Sequence, residues 1–244
     1  DNKIIGEGSH EKYGESHAEV NAINSVEDKR LLKNSTLYVN LEPCNHYGKT
    51  PPCTEAIINN NIKKVVIGSQ DPNKLVSGSG IEKLRSSGCN VSVGIMDKEC
   101  DKLNKRFFTY HKLKRPFIIL KWAETKDGFI SPTKSINTLK KVNWISGEDA
   151  KKLSHKWRSE EHSILVGVQT IIDDDPILTT RFVEGRSPIR FVLDPNSRIP
   201  LDSRILSGTV KTTVLSKKEN KLIPSYTKAI DFDNINLIIE SIYK

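Results

Sequence analysis

The sequence TLYVNLEPCNHYGKTPPCTEAIINNNIKKVVIG, residues 36–68, predicts how the first half of the chain folds. Its opening residues, Thr36 to Leu41, form a short apolar run of strand type, and Lys64 to Gly68 has the composition of a buried strand. A helix is expected between them, from Cys53 to Asn60. Strands that alternate with helices indicate a layered α/β domain.

The same alternation continues on both sides of this segment. Apolar residues at helical spacing predict one helix from Ala18 to Leu32. Downstream we expect a helix from Gly80 to Ser87, a strand from Val91 to Gly94 and a polar helix from Asp97 to His111.

A basic stretch that ends in Pro116 marks the expected domain boundary. The predicted domains are residues 1–112 and 115–244, and the second is again α/β. Its predicted elements are strands at Phe117–Trp122, Asn143–Ile145 and Ser163–Gly167, a helix at Gly147–Glu160, and strands at Ile189–Asp194, Thr212–Leu215 and Lys228–Asp231.

Composition excludes several classes of protein. No apolar run approaches the roughly 20 residues that cross a bilayer, and no signal core opens the chain, so we expect a soluble, cytoplasmic protein without a membrane partner. Four cysteines in 244 residues are too few for a secreted disulfide scaffold. The net charge of +8 suits nucleic acid, phosphorylated small molecules or a lysine-rich surface equally well.

The strongest chemical pattern is His17-Ala18-Glu19 at a helix start, followed by Cys44 and, after eight intervening residues, by Cys53. One imidazole and two thiolates are soft ligands that suit zinc. Three protein ligands leave a fourth position for water, which the metal acidifies, so the pattern favours catalysis. Glu19 would reach that water from the side and move its proton, which is the arrangement that hydrolytic deamination requires.

Two other interpretations of these residues remain open. The histidine could cap a helix while the cysteines pack in a loop, or the zinc could be a structural staple in a binding module. A structural site requires a fourth protein ligand, for which His46 is the only nearby candidate.

The motifs as a whole resemble a known enzyme family. The segments 8–22, 42–53 and 71–73 look like the deaminase half of the bifunctional deaminase and reductase of riboflavin biosynthesis. Eight residues between the cysteines are specific to this branch, since nucleic-acid and nucleoside deaminases generally have two. The resemblance implies zinc at His17, Cys44 and Cys53, with Glu19 as proton shuttle. It also implies a phosphorylated diaminopyrimidinone substrate, which would be held by His10, His46, Lys49, Thr50 and Asn73.

The second half resembles the reductase domain of the same family, and no Rossmann-type glycine turn is present. The resemblance implies a dihydrofolate-reductase-like α/β fold after a cytidine-deaminase-like α/β/α domain. Bound NADPH would contact Ala123, Trp144, Thr170 and Asp174, and the substrate would contact Val142, Arg158, Leu178 and Arg181. Such an enzyme would deaminate the ribosylaminopyrimidine phosphate and then reduce its ribosyl group to ribityl.

The sequence departs from the family pattern in a few places. Ser16 and Val142 stand where proline and serine are expected, and Pro195 also replaces a common serine. The family's first strand and helix and its closing segment have no counterpart, so we expect a chain that is truncated at both ends.

The rival hypothesis is another zinc-dependent base or nucleotide deaminase with a basic accessory domain, although the motif lacks the interleaved aromatic and basic residues of nucleic-acid binders. A homo-oligomer is possible.

Overall fold

The computed structural model describes residues 3–73, 76–131, 144–208, 210–218, 222–223, 227–232 and 234–243. The chain divides into two compact units, Asp1–Phe117 and Ile118–Lys244. Both are α/β units with parallel sheets, as the sequence predicts. No described helix is long and apolar enough to span a membrane.

The first unit is built on a three-stranded parallel sheet. Its elements are α1 (Ala18–Ser25), β1 (Thr36–Leu41), α2 (Cys53–Asn59), β2 (Lys64–Ser69), α3 (Ser79–Ser86), β3 (Asn90–Val93), α4 (Asp97–Leu103) and α5 (Lys105–Leu113). The sheet order is β1-β2-β3, and Leu37, Val65 and Val91 align across it. Parallel strands end at one edge of the sheet, so the loops after β1 and β2 lie side by side.

The core of the first unit explains why these elements form. Ile57 of α2, Ile67 of β2 and Leu84 of α3 have no exposed surface. Together with Val65 they belong to one apolar cluster between the sheet and its helices. Burying each such side chain stabilises the unit by about 1.5–3 kcal/mol.

The prediction of one helix over residues 18–32 is wrong. Helix α1 ends at Ser25, Val26 is extended, and a separate 3₁₀ turn covers Lys29–Asn34. The Asp28 carboxylate accepts a hydrogen bond at 3.0 Å from the backbone N–H of Arg30 and starts this new turn. Leu32 still reaches the core, which is why its spacing resembled that of a continuous helix.

The predicted polar helix over 97–111 is also two helices, α4 and α5, which meet at Asn104. The Asn104 side-chain amide donates at 3.0 Å to the carbonyl of Cys100 in the preceding turn. Asparagine competes with the backbone in this way, which explains the interruption of the helix at this position.

The second unit contains a four-stranded parallel sheet. Its elements are α6 (Glu148–Glu160), β4 (Ser163–Gly167), α7 (Val168–Asp174), β5 (Ile189–Leu193), β6 (Thr212–Ser216), β7 (Thr227–Ala229) and α8 (Ile235–Tyr243). The order is β4-β5-β6-β7. The strands predicted after residue 160 are confirmed, with small shifts at their ends. Val192 of β5 and Ile205 lie fully buried in the core of this unit.

Two predicted strands of the second half do not form. Phe117 to Trp122 has no regular secondary structure, and its Leu120 and Trp122 are 78 % and 62 % exposed. Trp144 and Ile145 are likewise not in a strand, and Asn143 lies outside the described residues. An apolar run shows only that a segment suits a sheet, whereas a strand also requires a neighbour with free backbone groups.

Candidate functional site

The three predicted metal ligands come from three different elements of the first unit. His17 immediately precedes α1, Cys44 lies in the loop after β1, and Cys53 is the first residue of α2. The Cys44 carbonyl accepts a hydrogen bond at 3.2 Å from the backbone N–H of Thr54, which ties the loop to the start of α2. The order of strands and helices thereby brings residues 27 and 36 positions from His17 to one place.

The ligand atoms of these residues face one another. His17 Nδ1 lies 3.5 Å from Cys44 Sγ and 3.3 Å from Cys53 Sγ, and all three ligand atoms lie within 4.8 Å. Tetrahedral zinc with Zn–N of about 2.0 Å and Zn–S of about 2.3 Å separates nitrogen from sulfur by about 3.5 Å. The donor chemistry and the spacing therefore both fit zinc. Among the described residues the cluster has these three members, and His46 is not one of them.

The two thiols differ in their electrostatics. The pKa of Cys44 is lowered to about 5, chiefly because the Cys53 side chain hydrogen bonds to it. The same hydrogen bond, followed by burial, raises the pKa of Cys53. A metal ion bound here would require both thiols to be deprotonated.

Glu19 lies in the first turn of α1, two residues after His17. Burial raises the pKa of its carboxyl group, and its side chain hydrogen bonds with that of Cys53. A carboxyl group beside the cluster is placed to accept a proton and to return it.

Glu42 explains how the loop that carries Cys44 is held. Its buried carboxylate accepts four backbone N–H hydrogen bonds of 3.0–3.3 Å. The donors are Asp71, Gly78, Gly80 and Ile81. The segment before Cys44 is therefore fastened to the start of α3 and to the end of β2.

A pocket of about 220 Å³ opens beside the metal cluster. Four of the five predicted substrate residues of this unit line it: His10, His46, Lys49 and Thr50. The His10 ring also contacts the His17 ring edge-on at 5.2 Å, and its Nδ1 lies 3.1 Å from the carbonyl oxygen of Ser16.

Asn73 does not line this pocket. Its backbone N–H donates to Asp71 Oδ1 at 2.7 Å, and its carbonyl accepts from Val76 and Ser77, so its backbone organises the turn after β2. Tyr13, which no sequence motif indicated, also lines the pocket. The Lys49 ammonium lies 4.2 Å from the centre of the Tyr13 ring, a cation–π contact that no sequence spacing indicated.

In the second unit the structure brings Arg158 and Arg181 together. Both contact Thr179: Arg158 Nη1 donates to its carbonyl oxygen at 3.2 Å, and Arg181 Nη1 to its Oγ1 at 3.3 Å. Burial, and then the charge of Arg181, lowers the pKa of Arg158. Within the described residues neither arginine forms an ion pair with a carboxylate. Two adjacent guanidinium groups that have no carboxylate partner in the described part of the chain suit a phosphate.

Trp144 belongs to the same neighbourhood through residues that no sequence motif indicated. The Lys151 ammonium lies 4.5 Å from the Trp144 ring and 4.7 Å from the Phe182 ring. The Phe182 ring contacts the buried His155 ring edge-on at 4.7 Å. Lysine, histidine and phenylalanine in a helix and a loop match no motif, so only the folded chain identifies them.

The other predicted residues of this unit are more scattered. Leu178 is 6 % exposed and lies in the core, so only its backbone, at a positive φ of 58°, could face a ligand. Thr170 and Asp174 lie one turn apart on the exposed side of α7. Ala123 is half-buried in the irregular segment after Phe117, and Val142 lies outside the described residues.

The fold and the His-Cys-Cys cluster define the class of the first unit, a zinc-binding deaminase-like α/β domain. Residues 1–69 match the profile of the cytidine and deoxycytidylate deaminase zinc-binding region, and residues 116–234 match that of the RibD C-terminal domain. The chain belongs to the RibD family of riboflavin biosynthesis proteins.

Three relatives illustrate this membership. The riboflavin biosynthesis protein RibD of Aquifex aeolicus is 47 % identical over 221 residues, which cover 90 % of this chain and 60 % of that protein. A diaminohydroxyphosphoribosylamino-pyrimidine deaminase of Buchnera aphidicola subsp. Schizaphis graminum is 58 % identical over 43 % of this chain and 71 % of its own. The crystal structure of a deaminase/reductase from Thermotoga maritima has a TM-score of 0.88 and 39 % identity, and covers all of this chain and 68 % of that one.

The chain thus spans about 60 % of the Aquifex protein, and 52 % of the RibD protein of Actinobacillus pleuropneumoniae.

Proposed function

We propose that the first unit is a zinc-dependent deaminase that acts on a diaminopyrimidinone ribosylamino 5'-phosphate. The observation that supports it is the cluster of His17 Nδ1, Cys44 Sγ and Cys53 Sγ, with the carboxyl of Glu19 beside it and a pocket next to it. Three ligands without a fourth among the described residues favour a catalytic site over a structural one.

The chain's own residues have defined tasks in this reaction. Zinc held by the three ligands would lower the pKa of water and so supply hydroxide for attack on the ring carbon that bears the amino group. Glu19 accepts the proton of that water and gives it to the departing nitrogen, so that the C–N bond breaks and ammonia leaves. His10 and His46 in the pocket face the ring, and Lys49 offers a positive charge to the phosphate.

The second unit, in this proposal, binds NADPH and reduces the ribosyl group to ribityl. NADPH supplies the hydride, and the protein positions the opened sugar. Arg158 and Arg181 bind the sugar phosphate, and Trp144 forms an apolar wall for the cofactor. Ala123, Thr170 and Asp174 complete the proposed cofactor site.

The deaminase proposal is tested by ammonia release from the diaminopyrimidinone ribosylamino phosphate. Glu19→Gln should retain zinc and lose activity by at least about 100-fold, the scale of general acid–base catalysis. Glu15→Gln is the matched control, because that exposed carboxylate pairs with Lys12 instead. Ammonia release from cytidine or deoxycytidylate but not from the proposed substrate would favour the alternative, another base or nucleotide deaminase.

The reductase proposal is tested by NADPH oxidation in the presence of the deaminated product. Arg158→Ala should raise KM for that product about tenfold or more, since a charge-assisted contact to phosphate contributes about 1.5–3 kcal/mol. Lys156→Ala, on the same helix but paired with Glu160, is the matched control.

The cytoplasmic location and a homo-oligomeric state stay predictions, as do the domain bounds 1–112 and 115–244.

A further inference from the structure

His155 lies between Arg158 and Arg181, and the proposed function assigns it no role. It is in α6 and is 3 % exposed. Its Nδ1 accepts a hydrogen bond at 3.1 Å from the backbone N–H of Arg181, and its Nε2 lies 3.4 Å from Arg158 Nη1. One imidazole ring therefore contacts both guanidinium-bearing residues, which are 23 positions apart.

The hydrogen bond from Arg181 defines the state of the ring. An uncharged imidazole has one acceptor nitrogen, and the backbone N–H of Arg181 occupies it at Nδ1. The proton then belongs on Nε2, opposite Arg158, which cannot accept it. Arg158 Nη1 donates instead to the carbonyl oxygen of Thr179, so the ring contacts this arginine without accepting a hydrogen bond from it.

The charged groups of the described residues that act on His155 are all positive. Arg158 and Lys151 face it from α6, and Arg181 faces it from the loop after Thr180. Burial, followed by these three positive charges, lowers the pKa of His155 to about 4. The ring is thus an uncharged acceptor inside a cationic cluster, and a carboxylate in its place would neutralise the arginines.

We infer that His155 is a positioning residue for phosphate binding: as an uncharged acceptor it holds the Arg181 backbone beside Arg158, so that both guanidinium groups bind one phosphate. This inference rests on the proposed function of the second unit. A second contact also holds the loop that carries Arg181 against helix α6. Gly185, at a φ of 136°, packs so closely on Ser159 that an added Cβ would lie 2.7 Å from its Cβ.

The test compares His155→Leu with His155→Asn in the full chain. Asparagine places Oδ1 where the histidine has Nδ1, whereas leucine has no acceptor. The probe is ribose 5-phosphate, titrated calorimetrically, with ribose as the ligand without phosphate. We expect His155→Leu to raise Kd for ribose 5-phosphate about tenfold and His155→Asn to restore it to within about threefold, with ribose unaffected.

The outcomes separate this inference from the proposed function. A wild-type chain that binds ribose 5-phosphate no better than ribose has no phosphate site, which overturns the proposed phosphate role of Arg158 and this inference together. Wild-type binding that His155→Leu leaves unchanged overturns the role of His155 alone. If the leucine variant does not fold, ¹⁵N NMR of the His155 ring in the wild-type chain tests the inferred role instead. A neutral ring protonated at Nε2 at pH 7 supports the role, and a ring protonated at Nδ1 overturns it.

Discussion

The backbone N–H of Gly80 donates a hydrogen bond of 3.0 Å to Oε1 of Glu42, although 38 residues separate them. Glu42 lies two positions before the metal ligand Cys44, and Gly80 is in the first turn of α3. The carboxylate thus receives the unpaired N–H groups at the start of a helix and at the same time fixes the metal loop. The metal centre therefore depends on a residue that would not touch the metal.

Replacing Glu42 by Gln should destabilise the first unit by about 2–4 kcal/mol. The amide keeps one acceptor oxygen, but its NH₂ group then faces backbone N–H donors that the carboxylate had paired. Zinc affinity should fall as well, because the loop before Cys44 is released. Chemical denaturation with zinc titration checks both effects. Glu82→Gln, at an exposed position of α3, is the control that should change neither.

Gly80→Ala should disturb the contact between the start of α3 and the loop before Cys44 through a steric clash. An added Cβ would lie 2.0 Å from the carbonyl oxygen of Pro43, a backbone atom that cannot rotate away. We expect a loss of more than about 1 kcal/mol, as in overpacked cores, together with weaker zinc binding. Gly147→Ala meets no atom within 4 Å and should cost less than about 1 kcal/mol. Equal losses in the two variants would contradict this explanation.

Zinc should stabilise the folded chain, and a chelator should reverse the effect. A ligand present at 100 times its Kd adds about 2.7 kcal/mol to the free energy of unfolding. Cys53→Ser should abolish both the bound zinc and the rise in melting temperature. Cys100→Ser is the matched change outside the cluster, and it should retain one zinc per chain by elemental analysis. Retention of zinc by Cys53→Ser would exclude this cysteine as a ligand.

Lys49 and Tyr13 should affect substrate binding more than turnover. Lys49→Met removes the charge that faces the pocket, and Tyr13→Leu removes the ring over which the ammonium lies. An exposed cation–π contact contributes about 0.5–1 kcal/mol, so Tyr13→Leu should raise KM for deamination about two- to fivefold. Lys49→Met should raise it further, with kcat nearly unchanged. Lys12→Met, which loses only a surface ion pair, should behave as wild type.

His155 should make the second unit sensitive to mild acid. Its pKa in the folded chain, about 4, lies below the ordinary value of 6.5. Between these values the unfolded chain binds more protons, so the free energy of unfolding contributed by this group is complete above pH 6.5 and is lost as the pH falls towards 4. Denaturation curves at several pH values should show wild type losing stability relative to His155→Asn across this window. Parallel curves for the two chains would contradict the buried, uncharged state of His155.

The chemistry of the metal centre was predictable because its residues are distinctive in type. Histidine and two cysteines next to prolines and helix starts have few other uses, and the structure does bring His17, Cys44 and Cys53 together. The parallel α/β pattern was equally readable, since period and length distinguish buried strands from helices. The roles of the individual substrate and cofactor residues stay predictions.

Apolar spacing in the sequence carried information about burial but not about continuity. Leu32 is buried as a helical pattern requires, yet Asp28 starts a new turn before it. The run from Phe117 to Trp122 has the composition of a strand, but pairing depends on a neighbour elsewhere in the chain. Hydrogen bonds between distant residues, such as Glu42 with Gly80 and His155 with Arg181, arise only when the chain folds. The sequence determined which groups can bind a metal or an anion, and the tertiary structure decided which other groups hold them in place, because that support comes from buried contacts without a local pattern.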